Sequence, residues 1–333
     1  MDIRNTRQLK DFAAQRLGNA QEGQKIVLLY TAIALGVTAL VTIVNYCLNL
    51  RIDQMTGLGG MGARSMLTTV QTLLPVAQAL FLMCLDLGYL STMLRVARGQ
   101  YASPNGLRLG FDRFWVLLRC NLLRGLIYFG LGMASVYAAM MIYLMSPLAS
   151  SAMELLTPMV TAAAAAGETS ITLDDAAYAQ LMSAMTPALI LCAVLFLAVA
   201  APFFYRYRMA DYLLIDRPGI GAVAALRESR KMMKGHRVQL LKLDLSLWWF
   251  YAAMLAASVI CYGDLIFPAL GISLPISGTA AYFVFFAAYV AATFAIYYFL
   301  RNRVEVTYAL VYDSLRPREP EDKSIVLGNI FQM

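Results

Sequence analysis

Asp86 is the residue whose type and position would most readily do chemistry. It stands in Phe81-Leu-Met-Cys-Leu-Asp-Leu-Gly-Tyr89, inside a long apolar run. A carboxylate at the centre of a membrane helix costs about 2.5–3.5 kcal/mol on insertion scales, so it is expected to face protein or water. At about 100° per residue, Gln71, Gln78, Asp86 and Tyr89 fall within one sector of about 80°. In the next apolar run Asn121, Arg124 and Tyr128 also share a helix face. This pattern offers an ion pair between Asp86 and Arg124, or Arg119, lining a polar cavity for a small molecule or a lipid. The plainer alternative is a structural ion pair near the interface, with the arginine snorkelling.

A second cluster is cationic. Arg227, Arg230, Lys231, Lys234, His236, Arg237 and Lys242 crowd into residues 217–242, where Glu228 is the single acid. Cations near an anionic leaflet contribute about 1 kcal/mol each. The cluster therefore suits anionic lipid headgroups or a membrane or cytoplasmic protein partner. Ordinary topogenic charge would produce it too.

Catalytic signatures are missing. His236 is the single histidine, so multi-His metal chemistry and Ser-His catalysis lack a second member. No HExxH, GxSxG or GxxxxGK[ST] occurs. Gly57-Leu-Gly59-Gly60-Met-Gly62 matches GxGxxG by letter, but no strand precedes it, so it reads as a turn. Tyr262-Gly263-Asp264 faintly resembles an intramembrane aspartyl protease motif, without its preceding glycine. Cys47, Cys84, Cys120, Cys192 and Cys261 form no CxxC pair and read as small packing residues. No enzymatic activity, cofactor, metal or nucleic-acid partner is expected.

The elements that must position these residues are membrane helices. The 333 residues are 60% hydrophobic and only 14% charged, against about 25% charged in soluble domains. Apolar runs longer than about 20 residues can cross a bilayer. They predict six spans, at about 26–50, 66–94, 114–145, 187–205, 243–262 and 279–300. Pro75 and Pro202 are expected to kink two of them. Residues 1–25 carry Leu9, Phe12, Ala13 and Leu17 at helical spacing, which predicts an amphipathic surface helix ending at Gly18-Asn19. Residues 146–185 form a long acidic loop, with a capping box at Thr172-Leu-Asp-Asp175 that predicts a helix over about 173–185. Gly235 is expected to end a basic helix. Residues 314–333 are expected to form a polar, mobile tail. The architecture is all-α and polytopic, with a leader (1–25), a six-helix domain (26–313) and the tail.

The cations sort the loops by side. Residues 206–242 hold nine Lys and Arg, whereas residues 146–185 and 263–278 hold none. Six crossings with both termini inside place nearly all basic residues in the cytoplasm, as the positive-inside rule requires.

Two stretches carry a family resemblance. One is Leu9-Lys10, Ala14 and Leu17-Gly18. The other is Ala225-Leu226, Ser229-Arg230 and Met233-Lys234-Gly235, followed by an apolar entry with Trp248-Trp249. Together they resemble a bacterial membrane family known as domain of unknown function 975. His236-Arg237 departs from the expected Asn-Lys. The resemblance implies a prokaryotic inner-membrane location and no particular activity. The expectation is a non-catalytic membrane component, an accessory to envelope or transport processes. The alternative is a carrier built around Asp86.

Overall fold

The computed structural model describes residues 5–55, 61–147, 175–263 and 278–316, together with a few isolated positions between 149 and 161 and Ile266 and Phe267. Most of the glycine-rich turn, most of the acidic loop, Asp264 and the tail beyond Arg316 lie outside the described residues. The described residues are helical, without strands. In order they form α1 (Thr6–Asn19), α2 (Gln21–Gln54), α3 (Met61–Ala97), α4 (Phe114–Leu144), α5 (Asp175–Tyr207), α6 (Ala210–Asp216), α7 (Ala222–Met232), α8 (Arg237–Ser246), α9 (Trp248–Cys261), α10 (Thr279–Ile296) and α11 (Asn302–Leu315). A 3₁₀ turn, Pro104–Arg108, and a helical turn, Leu109–Asp112, lead into α4.

Among the described residues, five helical stretches are long and apolar enough to cross a bilayer. A sixth exists if α8 and α9 make one span, and these two meet at a 60° bend. This is an all-α polytopic membrane protein. The bend falls inside the span expected over 243–262, where the helix stops at Leu247. Asp244, just before the break, accepts hydrogen bonds from Tyr308 and, at 3.4 Å, from Tyr251 beyond it. That carboxylate thus ties both arms of the bend to α11.

The helices group into two compact units, Met1–Arg119 with Met209–Met333, and Cys120–Arg208. In the second unit Tyr143 donates to the Ala184 carbonyl at 2.8 Å. Leu122, Leu126, Phe129, Met133, Val136 and Met140 stay exposed at spacings of three and four. Such an outward apolar stripe suits lipid. The helix expected over 173–185 merges into α5, which runs unbroken through Pro187 and Pro202.

The first unit has its core at the basic ends of its helices, and α11 is its centre. Asn302, Val304, Val306 to Tyr312 are all buried. A helix buried all round is a core helix. Hydropathy ends the sixth span near Leu300, because Arg301, Arg303 and Glu305 follow, yet the helix continues through a π turn at Tyr297–Arg301 into α11. In the leader helix Leu9, Ala13 and Leu17 are buried against α11 and α3. Asn5 caps α1 by accepting from the Gln8 amide at 3.2 Å.

Two glycines let the turns before α4 press onto α3. A Cβ on Gly88 would collide with the Leu107 backbone, and one on Gly110 with the Cys84 carbonyl. Both contacts flank Asp86 and fix the backbone that carries it. Gly235, with φ +88°, follows α7 as expected of a helix end.

Candidate functional site

The polar face of α3 meets α2. Gln71 donates to Asn49 at 2.6 Å and Gln78 to Thr38 at 3.1 Å. Tyr30 donates to the Asp86 carboxylate. Gln71, Gln78 and Asp86 therefore act as polar rungs between antiparallel helices, a use that polar side chains often have in membranes. Tyr89, at the end of the row, is fully buried and donates to Asn302 Oδ1 at 2.9 Å.

Asp86 pairs with Arg301, a partner outside the two arginines expected from the sequence. Arg301 Nη2 lies 3.1 Å from Asp86 Oδ1, and its Nη1 donates to the Tyr30 hydroxyl at 2.7 Å. The guanidinium packs over three rings, Tyr297 at 4.5 Å, Tyr30 at 4.9 Å and Tyr89 at 5.0 Å from their centroids. Ring faces carry negative quadrupole density, so each attracts the cation. Glu305 stands one turn on, at 3.8 Å. The Arg301 side chain is 15% exposed and that of Asp86 45%. Asn121, Arg124 and Tyr128 do share a face of α4, half-buried, within the second unit. There Arg124 Nη2 reaches Cys120 Sγ at 3.9 Å. The sequence pattern missed Arg301 because helical spacing compares residues within one run, whereas Arg301 is 215 positions from Asp86. Its available signal was an arginine set directly behind Tyr297-Tyr298.

Asp86 is one of three aspartates gathered by α11. Arg301, Glu305, Tyr308, Tyr312 and Arg316 recur at spacings of three and four, and form one stripe. Tyr308 donates to Asp244 of α8. Asp216, at the end of α6, receives Tyr312 at 3.0 Å, Arg98 at 2.9 Å and Arg316 at 3.1 Å. Arg98 also reaches Asp313 at 2.9 Å. Burial alone would lower the Arg98 pKa, but hydrogen bonding to Asp216, its charge, and Asp313 raise it instead. Arg98 stays a cation.

The basic cluster stands apart from this network. Arg227, Arg230, Lys231, Lys234 and Lys242 are exposed, while His236 and Arg237 are half-buried. His236 Nδ1 shares a 2.8 Å hydrogen bond with Gln239. Among the described residues no group of three or more His, Cys, Asp or Glu could hold a metal ion.

A long-helix membrane fold with a polar core at its basic end defines the class. The chain belongs to the family described as protein of unknown function (DUF975), which matches residues 1–319. No curated protein and no solved structure matches the chain.

Proposed function

We infer that the protein is a non-catalytic component of the prokaryotic cytoplasmic membrane, with both termini in the cytoplasm. It serves envelope or transport processes through its basic inner face. One observation carries this reading: the carboxylates Asp86, Asp216 and Asp244 are all engaged by the α11 stripe. Arg227, Arg230, Lys231, Lys234 and Lys242 face outward together. Their sign suits anionic lipid or an acidic partner.

A second reading, a carrier for a small molecule or lipid, draws on the 45% exposure of the Asp86 side chain. An ionisable residue on a membrane helix is often part of a transport path. Native pull-down with lipid and ligand mass spectrometry separates the two. The first reading expects a protein or anionic lipid that is lost when the exposed cations are neutralised. The second expects a small molecule lost in Asp86→Asn. Orientation is tested by labelling a cysteine placed at Lys234. Access from the periplasm would overturn the first reading.

A further inference from the structure

One side of α8 is built into the first unit. Leu240, Leu243 and Leu247 are buried, and Lys10 donates to the Ser246 carbonyl at 3.5 Å. The opposite side is apolar and uncovered. Val238 is 63% exposed, Leu245 64% and Trp248 65%, with Leu241 between them at 43%. At about 100° per residue Val238, Leu241 and Leu245 span about 60° of arc, and Trp248 follows just past the break. Arg237 borders that arc on one edge and Lys242 on the other. Long cationic side chains can lay their stems along such a row and extend their heads beyond it.

The row is continuous with the surface of a membrane helix. At Trp248 the chain turns through 60° into α9, whose Leu255 is 68% exposed. α9 has 14 residues, about 21 Å of helix, which is short of a hydrocarbon core of about 30 Å. The slanted α8 then carries the chain on toward the headgroups. Tryptophan at the junction suits the interfacial layer. A soluble partner would have to end its contact at the bend, whereas a leaflet covers both arms without a gap.

We propose that α8 is an interfacial helix, seated at the boundary of headgroups and acyl chains, where Arg237 and Lys242 hold the phosphate of an anionic phospholipid. This rests on the membrane reading above and names its lipid partner and contact surface.

The test uses the full chain in nanodiscs of phosphatidylcholine with or without phosphatidylglycerol. Brominated phosphatidylcholine locates Trp248 by the difference in quenching between the wild type and Trp248→Phe. Bromines near the glycerol end are expected to quench it more than bromines deep in the chain. Equal or deeper quenching overturns the proposal. Native mass spectrometry then measures retained phosphatidylglycerol against phosphatidylcholine. Arg237→Gln and Lys242→Gln are each expected to lower that preference about fivefold, the equivalent of about 1 kcal/mol per cation. Arg64→Gln, near the other end of α3, is expected to leave it unchanged. An unchanged preference in the double variant overturns the proposal. Lys234 labelled from the periplasm overturns the orientation instead, and leaves quenching and lipid preference to decide α8.

Discussion

Asp86 and Asp216 are both held by arginine and tyrosine, yet the two clusters are built inside out from one another. At Asp216 the anion is central, 7% exposed, and its cations form the rim, with Arg98 at 20% and Arg316 at 33%. At Asp86 the cation is central: Arg301 sits among three rings and its carboxylate forms the rim. α11 and the residues bordering it serve both. Taking one member from a buried ion pair is costly when it leaves the other charge buried. The clusters should therefore differ in which residue matters most.

The largest effect is expected from Asp86→Ala. It strands the Arg301 charge in the core with only Glu305, at 3.8 Å, as an ionic partner. A loss of about 3 kcal/mol in unfolding free energy follows from the cost of stranding a buried charge. Denaturant unfolding in detergent measures it, and a loss below about 1 kcal/mol would show that the guanidinium is hydrated or re-paired. Next comes Asp216→Asn, at about 1–2 kcal/mol. Arg98 keeps Asp313, the rim cations are partly exposed, and the amide can still accept from Tyr312. A larger loss than at Asp86 would invert the comparison. Arg301→Met is smaller, about 1 kcal/mol, because an apolar chain of similar length can fill the space among the rings. In a double-mutant cycle Asp86 and Arg301 should couple by at least about 1 kcal/mol.

The sequence carried the membrane architecture because a bilayer imposes one strong rule, a run of apolar residues of fixed length. Five of the expected spans appear within helices of that size. The polar face of α3 was legible for the same reason: Gln71, Gln78 and Asp86 recur with the helix period. What they meet was not. Asn49, Thr38 and Tyr30 lie on another helix, and one sequence contains no measure of register between helices. The α11 core was hidden by composition. Arg301, Arg303, Glu305 and Asp313 lower its hydropathy to that of a surface segment. Its burial rests on partners far along the chain, Asp216 and α1 among them.

The smallest expected effect tests whether burial, rather than ionic contact, separates these clusters from ordinary pairs. Arg217 and Glu228 make a contact of 2.6 Å, the shortest separation of any ion pair described above. Their side chains are nonetheless 35% and 30% exposed. Water screens such a pair and competes for both groups, and holding two long side chains together costs entropy. Glu228→Gln should therefore lower stability by less than about 1 kcal/mol, and less still at 1 M salt, where the Debye length falls to about 3 Å. Asp86→Ala should keep most of its effect at the same salt concentration, because the Arg301 charge it strands lies away from mobile ions. If both variants lost their effect with salt to the same degree, the rings around Arg301 would not be excluding solvent, and the contrast drawn between the two clusters would fail with them.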